Sequence, residues 1–220
     1  MALFIAIEGP DTSGKSTQAQ ALKEWFESKG EQAKIFHFPS EKGIGNRIQS
    51  FLKGEFSLNG LNDVVAIQMV YLADMLAFQD VINETLKQEV HVIVDRYTCS
   101  TYVYGRSMLE YHRQQTEEMR PFTSLNSFLL NTIENIPLAR PDMTFILDLP
   151  VEEIKQRKET LDYIESKEVL MSLVCQNYRG VVGNLDYIFT YVGGINKIDA
   201  TLPIETIQEI IQVGVMERCR

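Results

Sequence analysis

A chain of 220 residues, 45% hydrophobic and 23% charged, has the make-up of one globular domain (1–220) with a sizeable core. A formal charge of -9 argues against nucleic acid or an anionic membrane as main partner, while leaving room for a small anion held by the local field of a pocket. Cys99, Cys175 and Cys219 have neither disulfide nor zinc spacing, which suits a reducing cytoplasm, and no apolar run approaches a signal peptide or the roughly 18 residues of a membrane span.

Leu3 to Ile7 is a short apolar run of strand type, and Gln18 to Lys29 reads as an amphipathic helix ending at Gly30. Between them lies Gly9-Pro10-Asp11-Thr12-Ser13-Gly14-Lys15-Ser16-Thr17, which matches the phosphate-binding pattern G-x-x-x-x-G-K-[ST] at every fixed position. Such a loop aims backbone N–H groups at one point, with the positive end of a helix dipole behind them. Lys15 is placed to reach the outer phosphates of a nucleoside triphosphate and Ser16 to sit on Mg²⁺.

A second strand spans about Ala33 to Phe38 and ends at Pro39, followed by a polar loop and a short helix from Arg47 to Lys53. The spacing of Val64, Gln68, Tyr71, Met75, Phe78 and Ile82 predicts one long helix over 62–87. Its broad apolar stripe requires burial on more than one side, in the core or in a homodimer interface. Val90 to Val94 reads as a third strand, ending at Asp95-Arg96-Tyr97, with a helix starting at Thr98. Residues 114–136 hold a further helix with a break at Pro121. Pro141-Asp142 opens a fourth strand, Met143 to Leu149, and a helix starts at Val151. The polar stretch 157–165 suits an exposed, mobile lid loop. Glu168 to Tyr178 is helical, 186–192 leans to helix, Ile195 to Ile198 is the last strand and Glu205 to Val213 the last helix.

Strands of continuous apolar character alternating with helices predict an α/β three-layer sandwich of the P-loop NTPase type, with about five parallel strands. Ligands in such sheets bind at the carboxyl ends of the strands, where Gly9–Thr17, Asp95-Arg96-Tyr97 and Asp199-Ala200-Thr201 all fall.

The chain resembles the thymidylate kinase family of P-loop nucleoside monophosphate kinases. The resemblance is carried by the acidic Asp11 inside the phosphate loop, the Asp95-Arg96-Tyr97 triplet followed by Ser100 and Tyr104, the lid signature Leu161-Asp162-x-Ile164-Glu165, and Ile198-Asp199-Ala200-Thr201. It implies Mg²⁺-dependent transfer of the ATP γ-phosphate to dTMP. Lys15, Asp95, Arg96 and Arg157 are then the catalytic candidates, and Gly9 to Thr17 the ATP loop. Ser16 and Asp95 are implied as metal partners, and Asp11, Phe38, Lys42, Tyr71, Arg96, Ser100, Tyr104 and Glu165 as acceptor-binding residues. Arg157 takes the role of transferring cation because the loop has Thr12 and Ser13 where an arginine is often found. A phosphate monoester is already largely dianionic at neutral pH, with a second pKa of about 6, so the acceptor needs no general base. Arg96 offers its phosphate a guanidinium fork.

Three positions depart from the family pattern: Lys42 where an arginine usually holds the acceptor phosphate, Met75 where an arginine reads the base, and Tyr163 in the lid. They leave open a broader deoxynucleoside monophosphate kinase. A nucleoside kinase using Glu41 as base and a nucleotide-binding protein without catalysis remain alternatives. Asn196-Lys197-Ile198-Asp199 matches a guanine-reading pattern, but no D-x-x-G accompanies it.

Overall fold

The computed structural model describes residues 1–116, 119–157, 164, 166–183 and 194–218. Five strands, β1 (Phe4–Glu8), β2 (Ala33–His37), β3 (His91–Asp95), β4 (Met143–Asp148) and β5 (Ile195–Asp199), form a wholly parallel sheet in the order β2-β3-β1-β4-β5. This is the expected α/β architecture. Every residue of β1 and β3 is buried, because helices cover both faces and leave no solvated side for polar alternation.

The pleat divides the core. Ile5, Ile7 and Ile93 meet Leu22 and Phe26 of α1 (Lys15–Ser28) in one cluster. Phe4, Ala6, Val92 and Val94 join Phe38, Ile82 and Tyr97 in another. The register pairs Ile7 with Asp95, Glu8 with Ile146, His37 with Asp95 and Asp148 with Asp199. β2 and β3 end together opposite Ile7, and β4 and β5 end together two residues beyond the partner of Glu8, so the last polar residues step along the carboxyl edge. Asp142 supports this register by accepting a hydrogen bond from the Phe4 N–H at 2.8 Å.

The remaining helices are α2 (Gly45–Leu52), α3 (Leu61–Ala77), α4 (Gln79–Lys87), α5 (Thr98–Thr116), α6 (Met119–Asn135), α7 (Val151–Arg157), α8 (Glu168–Gly183) and α9 (Ile204–Arg218). α1 packs beside α9; α5 is central on the other side, against α3, α6 and α8.

The helix expected over 62–87 is two helices. At Phe78 the backbone turns, and the Met75 carbonyl accepts from the Phe78 N–H at 3.1 Å and from the Gln79 side-chain amide at 3.0 Å. Phe78 turns its ring edge-on to Phe36 and Phe38 at 6.3 and 5.6 Å. Contrary to the sequence expectation, Leu61–Lys87 is long and apolar enough to cross a membrane by length and composition, but Val64, Ile67, Leu72, Met75 and Ile82 are spent on the core. Pro121 does not break a helix; it lies in the first turn of α6, where its missing N–H costs nothing. α1 begins at Lys15, inside the phosphate loop. Ile164, expected in an exposed loop, is buried. The rest of 158–165 and the helix expected over 186–192 lie outside the described residues.

Phe26 is 1% exposed and stacks on His91 with ring centres 3.9 Å apart. Phe26→Ala is expected to lower the unfolding free energy by about 3–5 kcal/mol, read from urea unfolding, because the cavity lies against a rigid sheet.

Candidate active site

The loop Gly9–Thr17 joins β1 to α1. Gly9 has φ 144°, and a Cβ there would stand 2.6 Å from the Leu147 carbonyl oxygen, so only glycine fits beside β4. Gly14, φ 94°, turns the chain into α1. The loop curls around Lys15, whose Nζ donates to the Pro10 carbonyl at 2.7 Å. Burial, joined by the nearby Arg96 charge, lowers the Lys15 ammonium to about 8.

Arg96 follows β3 with φ 69°, a left-handed conformation that is costly for a long side chain. Its N–H donates to the Ile7 carbonyl at 3.0 Å, which holds the turn. The guanidinium reaches back to the phosphate loop, donating to the Gly9 carbonyl at 3.1 Å, to Ser100 Oγ at 3.4 Å and to the Asp11 carboxylate. Tyr104 donates to the other Asp11 oxygen at 2.8 Å. Beneath them Glu8 accepts from the Tyr97 N–H at 3.0 Å and from the Ser100 hydroxyl; Tyr178 then donates to Ser100 at 2.8 Å. Burial raises the Glu8 carboxyl above its ordinary range, against the pull of Ser100 and Arg96.

Asp11, Phe38, Tyr71, Arg96, Ser100 and Tyr104 line one cavity together with Gln68, Met75, Thr101 and Ile164. Its mainly apolar wall suits a small ring-bearing ligand with a polar end. Asp11 and Arg96 also line a second cavity, with Thr12, Gly14 to Thr17, His37, Asp95 and Arg157. A third space continues from the phosphate loop to Ala200, Leu202 and Pro203 beyond β5. Arg157, at the end of α7, bridges these two, donating to Ala200 O at 3.0 Å and Thr12 O at 3.4 Å. The acceptor-type and donor-type cavities therefore meet at Asp11 and Arg96.

Asp95 closes the donor side. Ser16 donates to its Oδ2 at 2.5 Å, and His37 Nδ1 lies 3.2 Å from the same oxygen. Burial pushes its pKa upward, but the His37 hydrogen bond and the charges of Lys15 and Arg96 prevail and bring it to about 2. Its Oδ1 is buried with no partner among the described residues. An ionised carboxylate with a bare oxygen beside a serine hydroxyl fits a hard divalent cation. Among the described residues there is no cluster of three or more His, Cys, Asp or Glu side chains, so such a cation would take most of its oxygens from phosphate and water.

Lys42 is exposed on the loop after β2 and does not line the acceptor cavity. That loop is instead shaped by Asp74 of α3, which accepts from the Ser40 N–H at 2.7 Å and the Ser40 hydroxyl at 2.6 Å. Glu165, with Lys158, Leu161, Asp162 and Tyr163, lies outside the described residues. Sequence reasoning assigned no role to Glu8, Gln68, Asp74 or Thr101. Gln68 and Asp74 had a visible signal: each is a polar residue within a strongly apolar helical stretch.

A family model described as thymidylate kinase matches residues 7–211. A probable thymidylate kinase from Methanosphaera stadtmanae is 30% identical over 212 residues, covering 96% of this chain and 95% of that protein. A thymidylate kinase from Exiguobacterium sp. is 30% identical over 221 aligned residues, covering 98% and 95%. A solved thymidylate kinase from Candida albicans superposes with a TM-score of 0.79 at 24% identity, covering 100% of this chain and 94% of that one, a likeness of fold.

The Asp95 carboxyl is ordinarily near 3.8 and is held at about 2 in the fold. Its contribution is fully present above 3.8 and is lost as pH falls through about 2; the shift corresponds to about 2 kcal/mol. In urea unfolding at a series of pH values, the stability advantage of the unmodified protein over Asp95→Asn is expected to shrink by that amount between pH 4 and 2. An advantage that grows with acid would contradict the assignment.

Proposed function

The chain belongs to the thymidylate kinase family and is a nucleoside monophosphate kinase, and we propose that it transfers the γ-phosphate of ATP to dTMP, with Mg²⁺, to give dTDP. The observation that carries the reading is the meeting of two cavities at Asp11 and Arg96. A phosphate donor along Gly9–Thr17 and a monophosphate in the acceptor cavity bring their phosphates to that junction.

Each residue has a part that follows from its place. Backbone N–H groups of the loop and Lys15 hold the donor phosphates. Arg96 turns its fork to the acceptor phosphate, and Asp11, oriented by Arg96 and Tyr104, takes a sugar hydroxyl. Phe38 and Tyr71 flank the base. Ser16 and Asp95 hold Mg²⁺, which screens the phosphate charges when bound. Arg157 lies on the donor side, exposed enough to move onto the transferring group. The acceptor oxygen is already anionic, so the site contributes positioning and charge stabilisation rather than a base. Cys99 and Cys175 are free and buried, in keeping with a reducing cytoplasm. Leu76 and Val81, exposed on α3 and α4, suit contact with a second copy of the chain.

Purified protein with ATP and Mg²⁺ is expected to convert dTMP to dTDP faster than it phosphorylates dUMP, dCMP, dAMP or dGMP. Absence of turnover on all of them would falsify the enzyme reading, and a purine preference would remove dTMP alone. Lys15→Ala and Arg157→Ala are each expected to lower kcat about 10²-fold or more, with little change in the KM for dTMP. ATP phosphates next to Lys15 favour its charged form, so binding raises a group that stands at about 8 in the free protein. Calorimetry at pH 8 in buffers of different ionisation enthalpy is expected to record uptake of about half a proton per ATP bound, and none for Lys15→Arg.

A further inference from the structure

The acceptor cavity is polar at one end and apolar at the other. Asp11, Arg96, Ser100 and Tyr104 are bound to one another at the polar end, next to the phosphate loop. Along α3, Met75 offers a base edge no hydrogen bond. Gln68 differs. It is 0% exposed, lines the same cavity, and its Oε1 has no hydrogen-bond partner among the described residues. Its Nε2 reaches the Met108 sulfur at 4.0 Å, and a thioether is a weak acceptor.

A buried amide in this state is expensive, and an apolar side chain would continue the helix stripe at no such cost. The surroundings nevertheless hold it in place. Gly105 of α5 faces it, and a Cβ there would stand 2.9 Å from Gln68 Cγ. Gln68 also precedes Tyr71 by three positions, which puts the two side chains on one face of α3, and both line the cavity. A carboxamide presents a donor and an acceptor side by side, and that pair matches the edge of a nucleobase. Thymine offers an N3–H donor next to a carbonyl.

We propose that Gln68 is the base-reading residue of the acceptor site, its Oε1 accepting the thymine N3–H and its Nε2–H donating to the neighbouring carbonyl. The inference rests on dTMP being the acceptor. Gln68 sets which base is taken and plays no part in the transfer.

The test compares kcat/KM for dTMP and for its N3-methylated analogue in the unmodified protein and in Gln68→Leu. Methylation is expected to cost the unmodified protein roughly tenfold or more. Gln68→Leu is expected to lose a similar factor on dTMP through KM, to keep its KM for ATP, and to lose most of the penalty against the methylated analogue. Equal use of both nucleotides by the unmodified protein overturns the proposal. So does a Gln68→Leu enzyme that handles dTMP normally, or one that keeps the full penalty. If the leucine variant does not fold, Gln68→Met, of nearly the same shape, takes its place. No turnover of dTMP by the unmodified protein would instead remove the kinase reading, a separate result.

Discussion

Arg96 is the residue on which the rest of the site depends. It stands at the end of β3 in a left-handed conformation, and its guanidinium crosses to the phosphate loop after β1, to Asp11 and the Gly9 carbonyl. A cation this buried is tolerable only because anions and carbonyls surround it. Burial opposes its charge, yet Asp11 and the neighbouring acids raise it well above the usual arginine range. The same ion pair joins the two cavities, so one interaction supports the local fold and places a positive charge where the cavities meet.

The sheet makes that interaction possible. Parallel pairing of β1 with β3 and β4 sets Ile7 beside Asp95 and Glu8 beside Ile146. Chain segments far apart in sequence therefore deliver Glu8, Asp95 and Arg96 to one edge. Strands buried on both faces cannot slide without moving apolar residues off their core positions, so the spacing of the charges is as rigid as the core. Glu8 and Asp95 show what this rigidity does to similar groups. Both are buried carboxyls on adjacent strands. Glu8 is raised because desolvation prevails, whereas Asp95 is lowered because His37, Lys15 and Arg96 prevail.

Much of this was legible in the chain. The phosphate loop, the alternation of strands with helices and the polar strand ends depend on local pattern, and local pattern is what a sequence displays. Arg157 also emerged from reading the loop, and it lies between Thr12 and Ala200. Other features were hidden because their causes are distant in sequence. The break at Phe78 depends on aromatic contacts with Phe36 and Phe38, which no helical periodicity records. Lys42 had the right charge and loop but faces solvent, since Asp74 holds that loop by Ser40.

Sequence alone displayed the phosphate-binding pattern of Gly9–Thr17 and strands fit for a parallel sheet, because both rest on short-range patterns of glycine, lysine and apolar runs. Tertiary structure alone decided that Asp11 and Arg96 line two cavities at once, that Asp95 is ionised while Glu8 is pushed toward neutrality, and that Gln68 lines the same cavity as Tyr71. Each of these depends on desolvation and on partners brought from other strands and loops, or on a glycine across a helix pair, and such terms exist only once the chain has closed around them.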